Sequence, residues 1–421
     1  MKRRVIAGAV VALAIGPAAA PATAAPASST PRASGAVVVE WNQALLRIVR
    51  TPGAQPATIH PTRAFAILHA AIYDAVVSAG HRGDPYLFRI EAPRGASATA
   101  AAAQAGHDAL FALYPGFAAS LDAQLSTELA TLPDDRARRD GIRVGRLSAR
   151  FILAVRSDDG SGSQTPSAPG TPAPGTYQPT PPNFAPPVFT AWSGVTPWLI
   201  DRGDQFRPAP PPALTSRAYA RDVAEVQSLG QNTSTTRTAD QTTVARFWSA
   251  PIQNYWNEIT QTLVTRHGAN LLTAATVFAE VDLALADSVI AFYDAKYHTN
   301  RWRPITAIRA AGTDGNPGTT ADQNWTPLVN TPADPTYPGA HSVVSSTAVR
   351  ILAAWFGDRE RVRVTSELLP GVTREFATLH DAATEAGLSR ILAGVHFRTD
   401  HDAGVRLGDR LAAAVLVRGL G

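Results

Sequence analysis

Apolar residues recur at intervals of three and four along most of this chain and almost nowhere at intervals of two. In PTRAFAILHAAIYDAVVSAG, Phe65, Leu68, Ile72 and Val76 mark one buried helical face. WNQALLRIVR precedes that segment, and an Ala-rich run through Leu110 to Arg150 follows it. The pattern resumes in SRAYARDVAEVQSL, in QTTVARFWSAPIQNYWNEITQTLVTRHG and in NLLTAATVFAEVDLALADSVIAFYDAKYH. Amphipathic helices bury their stripes against one another, so an all-α helical bundle architecture is expected. His69 and Asp74 fall inside such a helix and read as packing or hydrogen-bonding groups.

Four regions follow from the texture. Residues 1–25 combine MKRR, the apolar VIAGAVVALAIG and a small-residue run, the layout of a secretory signal peptide. Residues 36–157 form an N-terminal helical region. Residues 158–212 are too rich in Pro, Gly and Ser for regular elements. Their Tyr177, Phe184, Phe189, Trp192 and Trp198 predict a loop that wraps over the helical body. Residues 213–421 form a C-terminal helical region that carries the chemistry.

The 421 residues are 45% hydrophobic and 17% charged, ample for a large core. Removing the leader takes away Lys2, Arg3 and Arg4 and no acid, so the formal net charge falls from +4 to +1. A nucleic-acid partner is therefore not implied. Beyond the leader no apolar run approaches the roughly 20 residues a membrane span needs. The expectation is a secreted protein with no stable membrane anchor after cleavage. Disulfides and thiolate metal sites are excluded, because the chain has no cysteine.

Past the leader one lysine remains, Lys296, seven residues before Arg303-Pro304. Seven residues are about two helical turns, so both cations point one way if the helix continues, and Pro304 ends it there. PTYPGAH places Gly339, Ala340 and His341 at the start of a helix, where free backbone N–H groups and the dipole favour an anion. SRILAGVHFRTD supplies Arg390, His396 and Asp400. Arginine offers a planar fork and lysine a point charge. One imidazole can bond the central atom of an oxyanion while a second shuttles protons. Asp400 has two compatible readings, orienting His396 or capping the last helix.

Lys296, Arg303-Pro304, the PGAH turn and SRILAGVH resemble, in order and spacing, the bipartite signature of the vanadium-dependent haloperoxidases and the type 2 phosphatidic acid phosphatases. The WRP form of the first piece and the N-terminal YDAV helix resemble the secreted haloperoxidase-like branch. The resemblance implies two four-helix bundles with vanadate between them, bound by Lys296, Arg303, Arg390, His396 and the backbone at Gly339. His396 would be the axial metal ligand and His341 the acid–base group. Vanadium would act as a Lewis acid while Lys296 polarises peroxide. Hydrogen peroxide, a halide ion and a small organic acceptor would be the partners. RTADQT, with Asp240, resembles a stretch whose acid steadies the site arginines.

Two departures bear on that reading. The family turn usually reads Pro-Ser-Gly-His, whereas here it is Pro338-Gly339-Ala340-His341, without the serine hydroxyl. One neutral hydrogen bond is worth about 1 kcal/mol. Where relatives carry Phe or His, this chain has Asp334, whose charge near the site would oppose halide by about 2 kcal/mol at roughly 8 Å. The alternatives are an acid phosphatase, in which His396 attacks phosphorus and His341 protonates the leaving alcohol, and a non-catalytic exported scaffold.

Overall fold

The structure, a computed structural model, describes residues 34–163 and 173–420. The leader expected over residues 1–25 lies outside them. The described residues contain thirteen α-helices and one two-stranded hairpin, and no helix long and apolar enough to cross a membrane.

The first five helices are α1 (Ala36–Arg50), α2 (Thr62–Gly80), α3 (Ala98–Leu113), α4 (Ala118–Ala130) and α5 (Arg136–Val155). Helices α2, α3 and α5 pack on one another. Ser97 and Asp135 cap α3 and α5, each accepting a backbone N–H three residues on. After the loop come α6 (Arg217–Leu229), α7 (Ala239–Phe247), α8 (Ile252–Arg266), α9 (Leu271–Thr299), α10 (Pro304–Arg309), α11 (Ala340–Phe356), α12 (Leu379–Leu392) and α13 (Arg398–Arg418).

Helix α9 is the common spine. It is buried on every face from Ala274 to Tyr293, as a helix apolar all round must be. It packs on α2 and on α11, and α11 packs on α12 and α13. One continuous core therefore runs from Val37 to Val415. Gly404 and Gly408 let α13 lie against α11, because a Cβ at Gly408 would stand 2.4 Å from the Val343 carbonyl oxygen. That close approach fixes the turn before α13 relative to the start of α11.

The hairpin, β1 (Val362–Thr365) and β2 (Thr373–Phe376), pairs Val362 with Phe376. Strand periodicity does not reveal strands of four residues. In the Pro-rich loop, Tyr177, Trp192 and Trp198 are buried as expected, whereas Phe184 is 62% exposed. The loop is anchored by buried Asp287 of α9, whose carboxylate accepts the N–H groups of Trp198, Leu199 and Ile200 at 2.6–2.9 Å. Asp74 of α2 does the same for Tyr86, Leu87 and Phe88.

A second polar cluster lies deep between α1, α2, α8 and α9. Asn42 Nδ2 donates to Asn257 Oδ1 at 2.6 Å and lies 2.8 Å from His69 Nε2, and Asn257 Nδ2 donates to Asp282 Oδ1 at 3.0 Å. His69 stacks on Phe278 with centroids 4.7 Å apart.

Candidate active site

Segments distant in sequence meet around a cavity of about 260 Å³ whose lining includes Lys296, Arg303, Asp334, His341, Arg390 and His396. Lys296 sits in the last turn of α9, and Arg303 caps α10. The helix does not continue between them. Asn300, at φ +48°, stops α9 before Pro304 is reached, so the chain turn aligns the two cations. Arg390 lies in the last turn of α12, His341 in the first turn of α11, and His396 just before α13.

Two of the buried cations, Lys296 and Arg303, are held largely by one short segment, Asp334 to Thr336. Lys296 Nζ donates to the Pro335 and Thr336 carbonyls and lies 3.5 Å from Asp334 Oδ2. Arg303 donates Nε to the Asp334 carbonyl at 2.7 Å, Nη1 to the Val395 carbonyl at 2.8 Å, and Nη2 to the Asp334 carboxylate. Burial lowers the Lys296 pKa to about 8 against the opposing pull of Asp334. Burial would raise Asp334, but Lys296 and Arg303 outweigh it and hold the carboxyl below its usual range. Asp334 is thus an ionised counter-ion bonded into the site, rather than a charge standing beside it as the sequence suggested.

His396 is fixed as a base. Its Nδ1 lies 3.0 Å from Asp400 Oδ2 and 3.1 Å from Thr336 Oγ1, and Thr336 itself donates to Asp400 Oδ2 at 2.5 Å. With that hydroxyl proton committed, Nδ1 carries the ring hydrogen and Nε2 the lone pair, 3.2 Å from Arg303 Nη1. Asp400 also accepts the Phe397 N–H at 2.8 Å. It orients the histidine and caps α13 with the same oxygen. His341 Nε2 lies 2.8 Å from the Trp248 carbonyl, which only accepts, so Nε2 is protonated and Nδ1 is the free base. Burial, then the nearby cations, hold both histidines well below the ordinary imidazole pKa.

A tetrahedral oxyanion fits this donor set. Arg390 Nη1 reaches Ser249 Oγ at 3.2 Å, but its buried Nε has no partner among the described residues, and burial followed by repulsion from Arg303 lowers its pKa to about 10. Orphaned buried arginine nitrogens are costly unless an acceptor arrives. The Ala340 and His341 N–H groups at the start of α11 have no acceptor among the described residues. The Gly339 N–H, expected to bind the anion, donates instead to the Asp400 carbonyl at 2.9 Å, so the anion-facing amides move one and two positions along.

Asp240 also departs from expectation. It is exposed and pairs with Arg374 at 2.8 Å, not with Arg303 or Arg390. Arg374 is shared with Glu385, which places Asp240 in a surface network. The sequence reading missed Thr336, the Trp248 carbonyl and His60. Thr336 had one signal, lying within DPTYPGAH between Asp334 and the turn.

Residues 276–419 match the family model described as VCPO second helical-bundle domain. No curated protein matches the chain. Among solved structures, one described as the first bacterial vanadium-dependent iodoperoxidase superposes with a TM-score of 0.81 at 23% identity, covering 93% of this chain and 99% of that one. A holo-type bacterial vanadium-dependent chloroperoxidase gives 0.72 at 17% identity, covering 94% and 100%, and an apo-type one gives 0.70 at 17%, covering 89% and 97%. The chain has the helical fold of these peroxidases.

Proposed function

We propose that the protein is a vanadate-dependent haloperoxidase that oxidises halide with hydrogen peroxide, consuming one proton and giving hypohalous acid and water. One observation carries this reading. A buried imidazole, His396, is held with its Nε2 lone pair available among Lys296, Arg303 and Arg390, and Arg390 Nε lacks an acceptor.

Vanadate would be held by His396 Nε2, Lys296, Arg303, Arg390 and the Ala340 and His341 amides. When bound, it supplies the Lewis acidity that makes peroxide electrophilic towards halide without a change in metal oxidation state. Asp400 and Thr336 keep the His396 proton on Nδ1, so the ring faces the oxyanion as a base. His341 takes a proton from incoming hydrogen peroxide at Nδ1 and returns it to the departing water. An oxyanion also cancels the repulsion that Arg390 and Lys296 exert on His341, raising its proton affinity when the site is filled. Lys296 neutralises charge developing on the peroxide oxygen that is not transferred.

Asp334 lowers the formal charge of the three cations from +3 to +2, and PGAH lacks the serine hydroxyl. Both weaken vanadate affinity without removing a cation. Chloride, the hardest of these halides to oxidise, should be the poorest substrate, behind bromide and iodide. The chain contains no cysteine, and its one methionine is Met1, so it offers its own oxidant almost no sulfur. We also read the protein as exported with residues 1–25 as the leader, which N-terminal sequencing of external protein tests.

The function is tested by equilibrium dialysis with vanadate, together with peroxide–bromide halogenation of a 1,3-diketone beside hydrolysis of an aryl phosphate. His396→Ala should lose tight vanadate binding, while His341→Ala should bind vanadate and turn over poorly. Phosphate-ester turnover by vanadate-free protein, with no vanadate-dependent halogenation by any halide, would replace this reading with the phosphatase one.

A further inference from the structure

The cavity has a second side that the oxyanion chemistry does not use, built from His60, Phe189, Ile252, Val289, Phe292 and Tyr293. We propose that this side binds a neutral phenol, the organic acceptor of the oxidised halogen, with its ring beside Phe189 and Tyr293 and its oxygen accepting a hydrogen bond from His60 Nε2. The role as halogen acceptor rests on the haloperoxidase reading, whereas the binding does not.

His60 lies in the turn before α2 and joins the cavity from the N-terminal half of the chain. The Thr62 N–H points to its Nδ1 at 3.4 Å, and the Thr62 hydroxyl lies 3.0 Å from the same atom. An Nδ1 that accepts leaves the hydrogen of a neutral ring on Nε2. Burial keeps that ring neutral, lowering its pKa to about 3 against the opposing charge of Asp334. No described residue accepts from Nε2, so this wall carries a neutral donor beside the Tyr293 hydroxyl and the Gln253 amide.

The rings around it form a surface of edges and faces. His60 meets Phe189 at 5.3 Å and 62°, Phe189 meets Tyr293 at 5.3 Å and 45°, and Trp192 backs Phe189 at 5.6 Å and 78°. Aromatic ligands are favoured by such edge-to-face and offset contacts. Phe189 adopts φ +55°, a left-handed conformation that strains a bulky side chain and clusters at ligand sites. The segment is pinned there by the Val188 N–H to the Ala333 carbonyl at 2.9 Å and by the Tyr297 hydroxyl to the Val188 carbonyl. Ala333 precedes Asp334, so the aromatic wall and the counter-ion of the cations are tied together.

Size and charge narrow the ligand. A dry cavity of about 150 Å³ accepts one benzene ring, so the cavity of about 260 Å³ holds one ring with roughly 100 Å³ left for the oxyanion. The ionised Asp334 disfavours carboxylated arenes, and the His60 N–H favours an oxygen-bearing ring over a hydrocarbon. In the reaction, the halogen–oxygen bond of hypohalous acid breaks with its electron pair leaving as hydroxide. A ring carbon forms the carbon–halogen bond, and its displaced proton joins the hydroxide as water.

The test titrates phenol and toluene into the vanadate-free full-length protein, and again with vanadate present, following tryptophan fluorescence and the ¹⁵N imidazole resonances. Phenol should bind at least tenfold more tightly than toluene and move one neutral Nε2–H resonance. Vanadate should not displace it. His60→Phe should lose the tenfold preference, and Phe189→Ala should weaken both ligands. Equal binding of phenol and toluene, no binding at millimolar concentrations, or displacement of phenol by vanadate overturns the proposal. If His60→Phe does not fold, the imidazole shift in the unaltered protein still decides. Failure of vanadate-dependent halogenation would sink the peroxidase reading while leaving these binding results standing.

Discussion

Among the described residues two His–Asp pairs are buried, His396–Asp400 and His69–Asp282, and only one is equipped for chemistry. Their side chains approach to 3.0 and 3.5 Å. Burial raises the Asp400 pKa, but Asp400 accepts from Thr336, Phe397 and the ring, and these bonds together with Lys296 and Arg303 oppose that rise. Among the described residues Asp282 accepts only from Asn257, and its Oδ2 is unpartnered, as is His69 Nδ1. Burial drives Asp282 up to about 8 and His69 down to about 3, so the deep pair is discharged and serves as a polar plug between helices. A buried carboxylate keeps a useful charge only where cations and N–H groups replace its lost water, and a histidine becomes a ligand only where a cavity reaches its lone pair.

The largest effect that would break this contrast is on turnover. His396→Ala should lower vanadate-dependent halogenation by about 10³-fold or more, the scale of losing a group that acts on the reacting atoms. His69→Ala should lower stability by roughly 2–3 kcal/mol while each folded molecule keeps its activity. Denaturant titration beside halogenation kinetics reads both, and loss of activity in folded His69→Ala would undo the distinction.

Next comes the counter-ion. Asp334→Phe appears favourable for halide from sequence alone, but it strands two buried cations, and removing one partner of a buried pair costs about 3–5 kcal/mol. The vanadate-free variant should therefore melt well below the parent, and saturating vanadate should recover more stability in the variant than in the parent. Equal vanadate-induced shifts in melting temperature would show that Asp334 does not share its cations with the oxyanion.

A smaller, pH-dependent effect sharpens the deep pair. Asp282 has a folded pKa of about 8 against 3.8 for its ordinary value, so the native state binds more protons than the unfolded chain between those limits. Stability from this group falls as pH rises through that window. Asp282→Asn should gain stability relative to the parent from pH 5 to 8.5. A constant difference in melting temperature across that range would place the proton elsewhere.

The smallest effect expected is at Asp240. Its exposed pair with Arg374 contributes about 0–1 kcal/mol, so Asp240→Ala should leave vanadate affinity and turnover unchanged. A tenfold loss of affinity would restore its connection to the site arginines.

Much of the site was legible because Lys296, Arg303, His341, Arg390 and His396 sit in three short pieces whose internal spacing is local. Helix periodicity likewise exposed the all-α fold, and Asp400 is four residues from His396. What stayed hidden depends on partners distant in sequence. Asp334 reaches back to Arg303 and Lys296, Trp248 offers a carbonyl to His341, and His60 crosses from the other half of the chain. Gly339 was misjudged because its N–H meets Asp400 only through the close packing of α13 on α11. RTADQT carried a better local signal than the one first drawn from it. Thr238 and Gln241 form a capping box, with the Gln241 N–H to Thr238 Oγ1 at 3.1 Å and the Thr238 N–H to Gln241 Oε1 at 2.9 Å. Asp240 belongs to a helix start.

Lys296 rides on the helix that both the early and the late helices must grip. A chain that has gathered only its first helices leaves this ammonium outside the cage of Asp334, Pro335 and Thr336, and one that has gathered only its last lacks His60. The complete cavity, cation cage and aromatic wall together, therefore ripens only with the finished molecule.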